Sequence, residues 1–289
     1  MNIDRYRVVR NDPLDLSHFS TTVDDKTLSK EAGIELTRTS IEEISSLQSR
    51  LYADGKTALL IIFQAMDAAG KDNAIKNVMN GVNPQGVRVT SFKVPSEEER
   101  SHDFMWRAVK ALPPRGYIGI FNRSYYEDVL IARVRKLYEK ENIAPQWRDE
   151  NTIARRYKHI RDFEQYLWEN GTVIVKLFLH VSKEKQRERF LSRIENKDKN
   201  WKFTEADLKE RSFWDDYQEA YSRAIAATST PTCPWYVVPA DRRWYTHTVV
   251  AQVLLGVLNE INPVYPTITS AQEQMLDECK RKLLLDDTI

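Results

Sequence analysis

Residues 64–72 read Gln-Ala-Met-Asp-Ala-Ala-Gly-Lys-Asp; the apolar run TALLIIF (residues 57–63) precedes them and a helical pattern (residues 73–80) follows. A strand, a tight loop bearing Gly-Lys and a helix start form an arrangement that cradles phosphate. Unpaired N–H groups and the positive end of the helix dipole face the anion. Lys71 adds a full charge beside them, and Gly70 has no Cβ to hold the backbone away. Ala69, Gly70, Lys71, Asp72 and Lys76 are therefore the candidate phosphate ligands. Against the pattern GxxxxGK[ST], Ala65 replaces the first Gly, and Asp72 replaces the Ser/Thr that binds Mg²⁺ in ATP-using P-loop proteins. Asp67 lies inside the loop, where a carboxylate repels phosphate unless a cation intervenes. It reads as a Mg²⁺ ligand or as a group orienting an acceptor phosphate. The competing readings are an Asx-turn for Asp67 and a solvated lysine at a tight turn for Lys71.

A second constellation follows the run YIGIF (residues 117–121): Asn122, Arg123, Ser124, Tyr125, Tyr126, Glu127 and Asp128. In open α/β sheets ligands sit at the carboxyl ends of strands, so this segment is expected to face the crevice of the phosphate loop. Arg123 can grip phosphate oxygens bidentately and stabilise developing charge. Asn122 is neutral where P-loop enzymes often place a metal-binding carboxylate, so Glu127 or Asp128 is left to supply that charge. A capped helix start with an Arg–Glu surface pair is the alternative. Arg133 is expected on the face pointing to the crevice and Arg135 in solvent. Lys93, after the run VRVTS (residues 87–91), sits at another strand end and could contact an anionic chain.

Residues 183–202 are dense in charge, and Arg189 and Arg193, four apart, share one helix face. Interspersed acids allow a plain solvated helix. Placed after a strand in a phosphate-handling protein, the segment reads as an arginine-bearing lid. His102 forms no evident triad, and Trp106, Trp201 and Trp214 are expected to be packing residues.

The elements that must hold these groups are legible. Strand-like runs at 57–63, 87–91, 117–121, 172–179 and 235–238 are near-continuously apolar, as in strands buried on both faces of a parallel sheet. Helical patterns lie between them, at 96–112, 148–170, 182–194, 204–228 and 244–261, with a last one at 270–285. Capping boxes are expected at Ser40/Glu43, opening a helix to Asp54 with Gly55 as its stop, and at Ser96/Glu99. The alternation predicts a doubly wound α/β sheet. Residues 1–30 read as an extended arm. The expected division is an arm and helix over 1–55, a core over 56–265 with its lid at 183–203, and a helical tail over 266–289.

Composition narrows the function. The net charge of +1 and hydrophobic fraction of 42% fit a globular protein without a nucleic-acid-binding surface. Cys233 and Cys279 have no metal-ligand spacing and read as free thiols. The charged N-terminal segment lacks a signal peptide's apolar stretch, and no run is long enough to span a bilayer, so a cytoplasmic protein is expected.

In their order and spacing, MDAAGKD (66–72), SFKVPSEEE (91–99), HDFMWR (102–107), FNRSYYEDVL (121–130), the Arg189/Arg193 segment ending in NWK (200–202) and PWYVVPAD (234–241) resemble the polyphosphate kinase 2 family. The resemblance implies a thymidylate-kinase-like P-loop core, a five-stranded parallel sheet of order 2-3-1-4-5 with a helical lid and an N-terminal helical extension. It also implies homo-oligomers, dimers or tetramers. It implies reversible phosphoryl transfer from inorganic polyphosphate to nucleotides such as AMP, ADP, GMP and GDP, with Mg²⁺ or Mn²⁺. The Asn122 and Glu127-Asp128 pattern is similar to the subgroup that phosphorylates both mono- and diphosphates. On this reading Asp67, Lys71, Arg123, Glu127 and Asp128 are catalytic, Asp67 and Glu127 hold the metal, Lys93 and Arg133 line the polyphosphate channel, and Asn122, Arg189 and Arg193 serve the nucleotide. The rivals are an ATP-dependent kinase on the same fold and a non-catalytic nucleotide or polyphosphate sensor.

Overall fold

The computed structural model describes residues 1–8, 14–23 and 28–285. Its six strands are β1 (Arg7–Val8), β2 (Ala58–Ala65), β3 (Val87–Ser91), β4 (Ile118–Asn122), β5 (Thr172–His180) and β6 (Trp235–Pro239). They form one sheet of order β1-β6-β5-β2-β4-β3. All neighbours are parallel except β1, which runs antiparallel to β6. The five parallel strands taken alone have the expected order 2-3-1-4-5, and β1 is an addition contributed by the N-terminal arm. Two residues carry no periodic signal, so only pairing to Tyr236 and Trp235 defines that strand.

Every residue of β2 is buried, because the strand is central and covered on both faces. The chain winds first to one side of β2, through β3 and β4, then to the other, through β5 and β6. That reversal leaves a crevice at the carboxyl end of β2. The register Phe63↔Asn122 ends β4 two residues short of the end of β2, so the loops that leave them are neighbours.

The helices are α1 (Lys30–Asp54), α2 (Lys71–Val78), α3 (Glu97–Ser101), α4 (Trp106–Lys110), α5 (Ile131–Val134), α6 (Thr152–Glu169), α7 (Lys183–Glu195), α8 (Glu205–Ser212), α9 (Trp214–Thr228), α10 (Arg243–Ile261) and α11 (Ser270–Leu285). α10 packs on α1 and α2, and α6 packs on β5 and α9. α1 starts well before Ser40, at an N-cap on Ser29, and ends as expected on Gly55 in the left-handed conformation. The expected Ser40/Glu43 capping box does not form. Ser40 is buried in mid-helix, donates to the Leu36 carbonyl at 2.5 Å and accepts from Gln252 at 2.8 Å. Packing on α10 overrides local signals there. The Thr37 and Thr248 hydroxyls meet at 2.9 Å, and a Cβ on Gly33 would lie 2.3 Å from the Trp244 ring. The Ser96/Glu99 box is present, but its helix is split into α3 and α4. The pattern over 204–228 is likewise broken at Phe213.

A fully buried polar network ties the layers together beneath the crevice. Lys176 of β5 and Glu164 of α6 are 2.5 Å apart, with side chains 0% and 1% exposed. The Tyr125 and Tyr126 hydroxyls both donate to Glu164 at 2.9 Å, and Lys176 also donates to the Thr228 carbonyl at 2.8 Å. Each buried polar group thus has partners, which burial demands.

Candidate active site

The loop after β2 turns through two left-handed residues, Ala68 (φ 60°) and Gly70 (φ 106°), before Lys71 opens α2. A positive φ on an alanine is strained, and such strain persists only where the surroundings impose it. Here α7 imposes it. Gln186 donates to the Asp67 carbonyl at 2.9 Å, and Arg189 donates to the carbonyls of Ala68 (2.9 Å), Ala69 (2.6 Å) and Ala240 (2.6 Å). The Lys71 ammonium reaches back to the Ala65 carbonyl at 3.2 Å, closing the loop.

The loop after β4 meets it. The Arg123 amide continues the sheet by donating to the Phe63 carbonyl at 3.0 Å, and Arg123 itself has φ 64°. Its guanidinium spans two carboxylates: Nη2 donates to Asp67 Oδ1 at 2.8 Å and Nη1 to Glu127 Oε2 at 3.1 Å. Asn122 donates to Asp72 Oδ1 at 2.8 Å, joining β4 to the first turn of α2. Glu127 is fixed from its other side. The Gln64 amide, in the orientation that satisfies its neighbours, donates to Glu127 Oε1 at 2.9 Å and accepts from the Ser124 amide at 3.1 Å. Ser124 caps the short 3-10 turn Tyr125–Asp128 that carries Glu127.

The electrostatics follow. Burial, reinforced by Arg123, pulls Lys71 down to about 8 against the opposing pull of Asp67, Glu127 and Asp72. The carboxylates, Glu127 first, raise Arg123 above its ordinary value despite burial. Two cations and three carboxylates therefore share one small region.

Asp67, Lys71, Asp72, Asn122, Arg123 and Glu127 come together as expected, with Ala69 and Gly70 in the loop between them. Asp128 does not join them. In a 3-10 turn successive side chains diverge by roughly a third of a circle, and Asp128 lies instead 4.0 Å from Arg107 and close to Arg156. Burial outweighs those arginines and raises its carboxyl to about 7. Arg133, expected to face the crevice, pairs instead with Glu219 of α9 at 3.6 Å. Arg135, expected in solvent, sits 3.5 Å from Glu210 and over the Phe213 ring. Glu210 in turn accepts from the Tyr217 hydroxyl at 2.6 Å.

Arg189 is a clasp on the loop rather than a lid residue. A loop that turns its amides toward a ligand leaves its carbonyls elsewhere, and buried carbonyls need donors. Arg193 is half-buried over the Phe190 ring and bonds the Lys202 carbonyl at 3.2 Å. Lys76 and Lys93 are exposed, and the Lys93 carbonyl accepts from Arg107 at 2.8 Å. Trp214 is buried, as expected of a packing residue, but Trp201 is 77% exposed. His102 stacks on Trp106 at 4.0 Å, and Cys233 and Cys279 are free thiols.

Sequence reading missed Gln64, Ser124 and Gln186, which hold the site's backbone and Glu127. It also missed Tyr217 and Tyr221, whose phenols are raised first by burial, then by Glu210 for Tyr217, with the charge of Glu127 adding to both. Gln64 carried a signal: it is the one amide side chain within the apolar run of β2.

Among the described residues no group of three or more His, Cys, Asp or Glu is placed to enclose a metal ion. Asp67 and Glu127 are the carboxylates a hard divalent cation would use, and it would have to share them with Arg123, which now bridges them. Mg²⁺ is usually held by one or two carboxylates with substrate phosphates and water completing its shell. No helix of the described residues is long and apolar enough to cross a membrane.

The sequence model of the polyphosphate kinase 2 family matches residues 27–264. The chain is 47% identical over 282 residues to the ADP-polyphosphate phosphotransferase of Rhodopseudomonas palustris, covering 97% of this chain and 98% of that one. It is 43% identical over 274 residues to the AMP/ADP-polyphosphate phosphotransferase of Meiothermus ruber, covering 95% and 96% of the two chains. The crystal structure of polyphosphate kinase 2 from Arthrobacter aurescens TC1 superposes with a TM-score of 0.85 at 39% identity, over 94% of this chain and 95% of that one. With a glycine-lysine loop clasped by its arginine and faced by an arginine–carboxylate bridge, the chain belongs to the polyphosphate kinase 2 family.

Proposed function

We propose that the protein transfers phosphoryl groups reversibly between inorganic polyphosphate and nucleotides, accepting both nucleoside monophosphates and diphosphates. The observation that carries this reading is the Arg123 bridge between Asp67 and Glu127 beside Lys71. Phosphoryl transfer asks for positioning and charge neutralisation more than for covalent chemistry. Lys71 and Arg123 supply fixed positive charge for two phosphate-bearing molecules. Asp67 orients the acceptor phosphate, and Glu127, braced by Gln64, keeps Arg123 aimed. Transfer is direct and in line, without a covalent enzyme intermediate. Mg²⁺, or Mn²⁺ in its place, would be held by Asp67 and Glu127 and would neutralise phosphate charge between donor and acceptor. Asp72 stands where ATP-using P-loop proteins carry Ser/Thr, which favours a donor other than ATP.

The names of the Rhodopseudomonas and Meiothermus relatives support ADP, and AMP with ADP, as acceptors here. With such substrates the cytoplasm is the proposed place of action, and a dimer or tetramer the proposed assembly. One assay tests the reading: long-chain polyphosphate or ATP as sole donor, with Mg²⁺ and AMP, ADP, GMP or GDP in turn, following product phosphates. Polyphosphate-dependent product with AMP and ADP is expected. Lys71→Ala is expected to lower the rate at least ~100-fold. Turnover with ATP alone, or near-normal turnover in Lys71→Ala, would reject it.

A further inference from the structure

The phosphate loop is held by α7, and α7 is itself held at its start. Ser182, the N-cap of α7, donates its amide to Asp241 Oδ1 at 2.8 Å, and its hydroxyl accepts from the Lys185 amide at 3.1 Å. Asp241 lies two residues beyond the end of β6. Its other oxygen, Oδ2, accepts from the Thr21 hydroxyl at 2.8 Å, and its amide donates to the Thr21 carbonyl at 2.8 Å. One half-buried carboxylate thus joins three segments distant in sequence: the end of β6, the start of α7 and the N-terminal arm. Apolar contact anchors the arm, since Leu16 is buried and Leu14, Phe19 and Val23 pack on the core.

The spacing along α7 carries this hold to the site. Ser182, Gln186 and Arg189 stand at i, i+4 and i+7, on one helix face. Asp241 fixes the first of them, while Gln186 and Arg189 hold the carbonyls of Asp67, Ala68 and Ala69. Arg189 also returns to the Ala240 carbonyl at 2.6 Å, beside Asp241. Loop, helix and β6 end therefore form a closed circuit of hydrogen bonds. Asp241 is the charged acceptor in that circuit, and bonds to a carboxylate are stronger than those between neutral groups. The left-handed turn at Ala68 needs such a hold from outside the loop.

We propose that Asp241 is a positioning residue for phosphoryl transfer, with Thr21 of the N-terminal arm as its support. Both act through α7 rather than on the reacting groups. Together they seat α7, and α7 keeps residues 66–72 in the shape that receives phosphate. The inference rests on the reading of that loop as a phosphate seat. With α7 unseated the loop samples other shapes, and apparent affinity falls in proportion to the competent fraction. Saturating substrate re-orders the loop, so the penalty falls on KM rather than on kcat.

The test compares Asp241→Ala, Asp241→Asn, Thr21→Val and Thr21→Ser in the full-length protein. Alanine removes both acceptors. Asparagine keeps an oxygen for the Ser182 amide and offers its NH2 group to the Thr21 hydroxyl. Valine removes that hydroxyl, and serine restores it. Kinetics with polyphosphate and ADP varied in turn are read beside hydrogen exchange of the substrate-free protein. In Asp241→Ala the KM of the substrate that the loop seats is expected to rise about ten-fold, as a competent fraction of about one in ten implies, with kcat nearly unchanged. Exchange over residues 66–72 quickens while exchange in β2 keeps its wild-type rate. Thr21→Val shows the same pattern at about three-fold, the scale of one hydrogen bond. Asp241→Asn and Thr21→Ser stay near wild type. The proposal is overturned if Asp241→Ala leaves both KM values unchanged, if loop and β2 exchange quicken together, as plain loss of stability would make them, or if Thr21→Val behaves like Thr21→Ser. Should Asp241→Ala fail to fold, the Thr21 pair carries the same comparison. If the wild type moves no phosphate from polyphosphate, the functional reading fails, and exchange over residues 66–72 still decides this one.

Discussion

Arg123 and Asp67, from the ends of two adjacent strands, meet at 2.8 Å, and the same guanidinium holds Glu127 at 3.1 Å. One planar fork thus fixes the spacing of both carboxylates. A lysine ammonium is a point charge on a flexible stem and cannot hold both at once. Arg123→Lys is expected to lower kcat roughly 100-fold with little change in melting temperature. Steady-state kinetics beside a thermal melt check this. A variant that keeps most of its rate shows that the bridge is dispensable.

Arg189 gives its donors to two backbone carbonyls of the loop after β2, Ala68 and Ala69, and two after β6, Ala240 and Asp241. Arg189→Met leaves them without that partner. The expected loss is about 2 kcal/mol of stability, the scale of unsatisfied part-buried groups. Urea denaturation measures it, and hydrogen exchange over residues 66–72 should quicken. Arg193→Met, made on a half-buried arginine that bonds the Lys202 carbonyl and lies over the Phe190 ring but does not touch the loop, serves as control: whatever stability it costs is local, and exchange over residues 66–72 should stay unchanged. Equal effects on that exchange from the two would mean that the clasp contributes nothing particular.

The contrast between these two arginines shows where sequence reading stops. The parallel strands were visible because burial on both faces leaves long apolar runs, and each lies within two residues of its expected bounds. Gly55 and the Ser96/Glu99 box were visible because caps act over three or four residues. The convergence of Lys71 and Arg123 followed from strand ends sharing one crevice. What sequence could not separate was the role of like charges on one helix: Arg189 and Arg193 share a face, yet one clasps the loop and the other bonds the Lys202 carbonyl within its own segment. Asp128 was paired with Glu127 by adjacency, and the tight turn of Tyr125–Asp128 sends it elsewhere. α1 was cut short because Gly33, Thr37 and Ser40 are weak helix formers that only packing on α10 makes helical.

Glu164 and Lys176 form a buried pair under the segment that follows β4, sharing Tyr125 and Tyr126 with it. Removing one partner strands the other charge out of water. Glu164→Gln is therefore expected to cost about 3–5 kcal/mol of stability in chemical denaturation. Adding Lys176→Met should recover part of that loss, since it removes the stranded charge. If the double variant is no more stable than the single one, the loss comes from packing rather than from the unpaired ammonium.

Lys71 predicts an alkaline limb in the pH profile. Burial and Arg123 bring it to about 8, so in the free enzyme the ammonium is lost as pH rises through that value. kcat/KM, which reports the free enzyme, is expected to fall above pH ~8. Polyanionic substrate holds the proton on, so the matching limb in kcat should move to higher pH. Stability carries the opposite sign. Between about 8 and the ordinary lysine value of 10.5, the unfolded chain binds the proton that the folded chain has released. This group therefore favours the folded state increasingly as pH rises across that window. Lys71→Arg keeps its charge throughout and should lose the alkaline limb of kcat/KM whatever its absolute rate. A wild-type profile flat to pH 9.5, or a limb that survives in Lys71→Arg, would assign the titration to another group.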